Sequence, residues 1–327
     1  VNGTLTDVAG LSVGHWTDLE AATGCTVVLC GDEGAVAGVD VRGSAPGTRE
    51  TDLLDPVNAV QRIHAVLIGG GSAFGLDAAT GVMRWLEAKG RGVEVGAVRV
   101  PLVCAAVLFD LPVGRSDVRP DAAAGEAACD AASTAAVPQG SVGAGAGAAV
   151  GKMLGFERAT KSGLGSASLR LAGGITVAAL VAVNAAGDVV DPASGRVLAG
   201  PRLPGGGFVR TAVWLREHVA GISIGGSTTL AVVATDAELT KVETTKVARM
   251  AHDGLARTID PVHTMLDGDT VFALATGAAG VAADVTAVGA AGATVLAQAV
   301  LAAVRTASGL AGVPAASELP AAGAAAS

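Results

Sequence analysis

The sequence predicts a mixed α/β protein with a sheet core and helix-rich ends. Three observations point there. Short apolar runs bounded by glycine-rich turns recur along the chain. They alternate, irregularly, with amphipathic stretches of helical period. Glycine contributes 47 of 327 residues while aromatics make up 2%, with no tyrosine at all. Such an interior has to be filled by small side chains packed closely. The length suits one large domain or two ordinary ones. No internal repeat is present, and a single domain over 1–327 is expected.

"GCTVVLCG" (24–31) and "GAVAGVDVRG" (34–43) read as a hairpin. "AVLIGGGSAFGLDAATGVMRWLEAKG" (65–90) reads as strand, glycine-rich turn and helix, with Leu76, Val82, Met83 and Leu86 along one side and Gly90 as the C-terminal cap. "GEAACDAASTAA" reads as a second helix. In "GSVGAGAGAAVGKMLG" (140–155) the bare backbone can approach a neighbouring element. "GITVAALVAVNAAGDVVDPASG" (174–195) gives two strands about a turn. Residues 199–227, with Pro-Arg-Leu-Pro and a glycine triplet, read as a linker with one helical piece. A strand starts at Thr228. Residues 240–259 form an amphipathic helix with Val242, Val247, Met250, Ala251 and Leu255 inward. "LDGDTVFALATG" (266–277) is a turn feeding a strand, the last helix spans 284–308, and 313–327 is expected to be a disordered tail.

The formal charge of −8 and the lack of a basic patch with interleaved aromatics argue against nucleic acid as a partner. The first residues show no apolar signal core. The uncharged run 285–305 has spanning length, but it is mostly Ala and Gly, with Thr and Gln inside, and reads as a buried helix rather than a membrane segment. Cys25, Cys30, Cys104 and Cys129 form no C-x-x-C pair and read as small buried residues in a reducing, cytoplasmic setting. His15, His64, His218, His252 and His263 are scattered. Only His263 lies near other candidate site residues.

Chemistry gathers around "SIGGSTTLAVVATDAEL" (223–239). A hydroxyl where a flexible Gly-Gly-Ser meets a core strand sits at a sheet rim. Threonine is a workable nucleophile when a base takes its proton, and its own freed α-amine can be that base. Taken alone, Thr228 and Thr229 read more readily as plain strand formers. Asn184 ends an apolar strand, where its amide can donate to an oxyanion or simply complete a turn. Asp267 and Asp269 are two apart, so in extended chain both carboxylates face one way; a solvated turn is the plain alternative. Lys152 follows a Gly/Ala run with few charges nearby, where partial desolvation would lower its pKa or leave it to polarise a substrate; a solvated surface lysine is the plain reading. "GGGSAFGLDAATG" lacks the Lys-Ser/Thr of a phosphate loop and the dinucleotide glycine spacing, so it reads as close packing or a site wall.

Over Val8 to Thr306 the chain resembles the L-aminopeptidase/D-esterase family of DmpA, which includes β-aminopeptidases and the nylon-oligomer endohydrolase. "GLSVGHWTD", "GCTVVLC", "VDVRGSAPGTRETDLLDP", "VLIGGGSAFGLDAATGV", "GAGAGAAVGK", "VAALVAVNAAGDVVDP", "STTLAVVATDAELTK" and "MLDGDTVFALATG" carry the resemblance, in family order. It implies a four-layered α/β/β/α sandwich like that of N-terminal-nucleophile hydrolases. It implies a precursor that cuts itself at Ser227–Thr228 into 1–227 and 228–327, which stay together. Thr228 is the implied nucleophile and Asn184 the oxyanion amide. Lys152 is the lysine used by the nylon hydrolase, with Lys161 a weaker candidate, and Asp267 and Asp269 orient the nucleophile. Thr229 competes with Thr228, but strand alternation turns it to the opposite face. The implied activity is hydrolysis of small peptides or amides through an acyl-enzyme, without metal or organic cofactor, in a homo-oligomer, commonly a tetramer of processed pairs.

Two departures stand out. The nucleophile is Thr rather than the Ser of the aminopeptidase branch, which also has Ser and Glu in place of the two aspartates. A supporting tyrosine has no counterpart; Arg119 falls there, suited to an oxyanion or a substrate carboxylate. An ornithine acetyltransferase-like acyl transferase is the enzymatic alternative, although its Ala-Thr-Met-Leu-type signature is absent. A scaffold with a decayed cleavage site is the non-enzymatic one.

Overall fold

The computed structural model describes residues 3–218 and 226–320. One sheet contains β1 (Leu11–Asp18), β2 (Thr23–Cys30), β4 (Gly47–Arg49), β6 (Ala65–Gly69) and β9 (Val103–Val107), in the order β1-β2-β6-β9-β4. The other contains β3 (Ala35–Val41), β5 (Arg62–Ile63), β12 (Leu164–Arg170), β13 (Thr176–Asn184), β16 (Thr228–Thr235) and β18 (Thr270–Ala275), in the order β12-β13-β16-β18-β3-β5. Helices α1 (Ala78–Ala88) and α2 (Ala122–Asp130) cover the outer face of the first sheet. Helix α3 (Thr211–Glu217) lies outside these layers, and α4 (Lys241–Thr258) and α5 (Val285–Arg305) cover the second sheet. The layers therefore run helix, sheet, sheet, helix, with one core between the sheets and one under each helix pair.

Strands β13, β16 and β18 are buried along their whole length, which is why they read as continuous apolar runs. On β16, Leu230, Val232 and Ala234 enter the core between the sheets, whereas Ala231 and Val233 meet the helices. By the same alternation Thr228 faces the inter-sheet side and Thr229 the helix side. Strands β16 and β18 run parallel, so the start of β16 and the turn before β18 lie side by side.

Glycine earns its abundance through backbone contact between helices. A Cβ on Gly81 of α1 would lie 1.8 Å from the Ala122 carbonyl oxygen, and one on Gly125 of α2 would lie 2.0 Å from that of Ala78. Asp121 caps α2, accepting from the Ala124 N–H. Thr240 and Glu243 form a capping box on α4, and Asp284 caps α5. The spanning-length α5 lays its apolar face against the second sheet.

Several expected boundaries change. Residues 24–31 and 34–43 are not a hairpin: β2 pairs with β1 and β6, and β3 pairs with β18 and β5. The Gly31–Gly34 turn, with Gly34 at φ 70°, carries the chain from one sheet to the other. Val242 is 64% exposed rather than inward. Five residues separate it from Val247, about 140° around a helix of 3.6 residues per turn, so it leaves the buried Val247–Ala251–Leu255 stripe.

The second expected helix begins at Ala122 and stops at Asp130. The strand after Asn184, β14 (Asp188–Val190), joins β15 (Val197–Ala199) and β17 (Ile259–Asp260) in a separate small sheet, while β7 (Val93–Val95) pairs with β8 (Val98–Val100) and β10 (Ala149–Val150) with β11 (Thr160–Lys161). The stretch read as linker is structured through 218: Thr211 starts α3 with its N–H and hydroxyl both on the buried Asp188 carboxylate. Its residues 219–225 lie outside the described residues. The expected disordered tail is ordered through Pro320, because Lys161 donates its N–H to the Pro314 carbonyl and Glu318 accepts from the Gly309 N–H. Residues 321–327 lie outside the described residues.

Replacing Gly81 by Val should destabilise the fold by about 3 kcal/mol through overpacking. Gly205→Ala, at a position with open space, should leave the melting temperature unchanged. Thermal melts of both variants check this, and an unchanged Gly81→Val melt refutes the helix-contact account.

Candidate active site

The register of three strand ends assembles the site. Asn184, the last residue of β13, pairs with Thr228, the first of β16. On the other side Ser227 bridges to Asp267 in the turn before β18. The end of β3 backs that turn: Arg42 and Gly43 donate N–H groups to the Asp269 carbonyl, and Ala45 donates to that of Asp267. A Cβ on Gly43 would lie 2.1 Å from the Asp269 nitrogen, so only glycine permits this approach.

Ser227 and Thr228 are buried. The Thr228 hydroxyl donates to the Ser227 carbonyl oxygen at 2.5 Å, and the same oxygen accepts from the Gly268 N–H at 3.0 Å. Thr229 faces away, and its buried hydroxyl has no partner among the described residues.

Both aspartates are held, on different partners. Asp267 accepts from the Ala186 N–H at 3.2 Å and from the Thr264 N–H and hydroxyl at 3.0 and 2.5 Å. Burial, then the neighbouring Asp269 carboxylate, pushes the Asp267 pKa up. One Asp269 oxygen accepts from the Thr229 N–H at 2.7 Å. The other accepts from the His263 N–H at 3.2 Å and meets His263 Nδ1 at 2.7 Å. His263 thus fixes the carboxylate that ties down the strand carrying Thr228. Its proximity in sequence to the aspartates was the available signal. His252 packs edge-on against it at 4.8 Å, and burial lowers the His252 pKa to about 4.

Lys152 enters from the turn after Gly151, whose φ of 69° suits glycine. Its ammonium donates to Asn184 O and Oδ1, each at 2.8 Å, and to the Gly226 carbonyl. Burial lowers its pKa to about 7, against the opposing pull of Asp267, Asp110 and Asp269. Asn184 Oδ1 also accepts from the Ala149 N–H, while its amide nitrogen donates to the Phe109 carbonyl at 2.9 Å. In this uncut chain the Asn184 amide is therefore not directed at the Ser227 oxygen. Phe109 and Phe156 wall the space beside Gly226, and their apolar rings left no motif in the sequence.

Two expected residues stand elsewhere. Lys161 is buried, donating to the Gly145 carbonyl at 3.0 Å and the Ser162 carbonyl at 2.5 Å, so it anchors the Gly/Ala run that leads to Lys152. Arg119 lies with its guanidinium 4.0 Å over the Phe74 ring and donates to the Ser116 carbonyl. Among the described residues it makes no hydrogen bond to the Thr228 cluster. The glycine-rich turn is occupied by a carboxylate: Asp110 accepts from the Gly71 N–H at 2.7 Å and the Thr23 hydroxyl at 2.8 Å. The four cysteines are free and buried.

The layers match those of solved structures. The chain superposes on the L-aminopeptidase D-Ala-esterase/amidase of Ochrobactrum anthropi with a TM-score of 0.70 at 19% identity, covering 94% of this chain and 88% of that one. For the β-aminopeptidase of a Burkholderia species the TM-score is 0.69 at 23% identity, covering 96% and 91%. In sequence, an uncharacterized aminopeptidase of Mycobacterium tuberculosis is 48% identical over 95% of this chain and 96% of its own length. The 6-aminohexanoate-oligomer endohydrolase of Paenarthrobacter ureafaciens is 34% identical over 83% and 74%. The fold is thus the α/β/β/α variant of the N-terminal-nucleophile hydrolases. The chain belongs to Peptidase family S58, whose model matches residues 3–317, and it is a hydrolase of peptide or amide bonds. The acyl transferase and the decayed scaffold are not favoured.

Lys152 and Lys161, each lowered from 10.5 to about 7, hold fewer protons in the folded chain than in the unfolded one between about pH 7 and 10.5. Stability therefore rises with pH through that window and stops changing on their account below it. Urea midpoints at pH 7 and 8, below the 9.0 at which the thiols of the unfolded chain ionise, should rise for the natural protein. The rise should be smaller in Lys161→Met. A midpoint that falls from pH 7 to 8 refutes the assignment.

Proposed function

We propose that this protein is a self-processing amidase and aminopeptidase that cuts its own chain between Ser227 and Thr228 and then uses the new N-terminal threonine on small peptide or amide substrates. The observation that carries this reading is the Thr228 hydroxyl at 2.5 Å from the carbonyl oxygen of the bond to be cut, inside a cluster of Lys152, Asn184, Asp267 and Asp269.

In processing, Thr228 Oγ bonds to the Ser227 carbonyl carbon, the 227–228 C–N bond breaks, and the hydroxyl proton ends on the departing nitrogen. Water hydrolyses the resulting ester, leaving the Ser227 carboxylate and a free Thr228 hydroxyl and amine. In turnover the same oxygen attacks a substrate amide, and the Thr228 amine or Lys152 takes its proton and passes it to the departing amine as the C–N bond breaks; water then hydrolyses the acyl-enzyme and restores the hydroxyl. Loss of Gly226 from Lys152 on cleavage frees a donor position for substrate. Asn184, released from Phe109 by a side-chain rotation, serves the substrate oxyanion. Asp267 and Asp269 hold the strand ends in register.

Chains 1–227 and 228–327 remain together, because β16 is bonded on both sides to its sheet. The assembly is a homo-oligomer of such pairs, working in the cytoplasm, where its free cysteines stay reduced. The likeness to the 6-aminohexanoate-oligomer endohydrolase, together with a Thr nucleophile and an Asp pair, supports an oligoamide as a second substrate class.

On a denaturing gel the natural protein should run as two fragments, the smaller starting at Thr228 by N-terminal sequencing. Thr228→Ala should run as one chain and lose at least roughly 1,000-fold in amide hydrolysis. Two fragments from Thr228→Ala refute the assignment.

A further inference from the structure

We propose that the backbone N–H of Gly268 is the oxyanion donor for self-cleavage, a duty distinct from that of Asn184 in turnover. The inference rests on the reading of Thr228 as the processing nucleophile.

The carbonyl that must accept negative charge is that of Ser227. Among the described residues two hydrogen-bond donors reach it, the Thr228 hydroxyl and the Gly268 N–H at 3.0 Å. The hydroxyl is the attacking group and gives up its proton in the step, so it cannot also stabilise the product charge. When Oγ bonds to the Ser227 carbon, the carbonyl electron pair moves onto the oxygen, and Gly268 is left as the donor already in place. Asn184 is engaged elsewhere: its nitrogen is on Phe109, and its oxygen accepts from Ala149 and Lys152.

The Gly268 N–H is also immobile before the reaction starts, which is what makes such a donor effective. Its neighbours on both sides are pinned. Asp267 is fixed by Ala186 and Thr264, and Asp269 by Thr229 and His263. Their carbonyls take N–H groups from Ala45 and from Arg42 and Gly43. The two carboxylates thus hold the amide between them as well as the nucleophile strand.

The residue has to be glycine for a separate, steric reason. A Cβ at 268 would lie 2.8 Å from the Thr228 hydroxyl oxygen, 2.6 Å from the Ala45 carbonyl oxygen and 3.1 Å from Pro46 Cα. Any side chain would displace the nucleophile from the carbonyl it attacks. The glycine between the two aspartates is therefore part of the reacting group of atoms rather than a flexible spacer.

The test replaces the N–H by an ester oxygen, which also weakens the Asp267 carbonyl as the acceptor for Ala45. Full-length protein is made by cell-free translation with glycolic acid at 268, which turns that amide into an ester. A matched ester at Gly205 is the control, and resistance to a protease checks folding. The half-time of the 227–228 cut is read on a gel. We expect the 268 ester to slow cutting roughly 100-fold or more, in the range seen when one oxyanion donor is lost, and the 205 ester to cut at the natural rate. Asn184→Ala should lose far more in substrate turnover, measured on already cut protein, than in the rate of cutting. A 268 ester that cuts at the natural rate overturns the inference, as does an Asn184→Ala chain whose cutting slows as much as its turnover. If the natural protein cuts but the 268 ester matches it, only this inference fails; if the natural protein never cuts, the reading of Thr228 fails with it.

Discussion

The site depends on one hydrogen bond, from the Thr229 N–H to the Asp269 carboxylate at 2.7 Å. Two parallel strands end beside each other here, and strand ends are where backbone groups run out of partners. The aspartate supplies the missing acceptor to β16, and its neighbours in the turn are held by the end of β3. Thr228 is thereby positioned by three strands of one sheet rather than by a loop. His263 extends the restraint one layer outward. Its backbone φ of 55° is unusual for a residue with a side chain, and both its N–H and its ring are committed to the same carboxylate oxygen. Such local strain persists where surrounding contacts over-determine it.

The electrostatics set burial against nearby charge. Lys152 is almost fully enclosed, and enclosure favours its neutral form more than the surrounding carboxylates favour the charged one. Asp267 moves the other way for the same reason, since it is buried next to a second carboxylate. Burial thus moves a lysine and an acid of one cluster toward their neutral forms. Lys161 shows that the shift alone does not mark a site. It is as deeply buried, with a similar pKa, yet it only anchors a glycine-rich turn.

Much of this was legible in the chain. The all-buried strands β13, β16 and β18 read as apolar runs, and the helices α4 and α5 were visible from period and caps. Thr228, Lys152, Asn184, Asp267 and Asp269 could be named in advance, and they come together. What sequence could not reveal was partner choice. A turn signal at 31–34 says that the chain reverses, not which sheet receives it, so the first hairpin was misassigned. The phase of a helical stripe is set by the neighbour it meets, which is why Val242 fell outside it. Gly268 was invisible as a functional position, because a glycine contributes there through its backbone and through the absence of a side chain. Arg119 illustrates the converse: a charged residue aligned with a functional position makes its contacts with Phe74 and Ser116 instead.

The contact between the Gly226 carbonyl and Lys152 has a temporal meaning. Under the proposed break, Gly226 holds Lys152 until the cut is made, and a newly made chain would be silent. Such a cut would be intramolecular, its rate independent of how many copies are present. Each molecule would then carry a first-order clock, set once and never rewound, that separates folding from the onset of work on other polymers. A cell making this protein would have an interval, fixed by chemistry rather than by an external regulator, before any bond outside the chain is at risk.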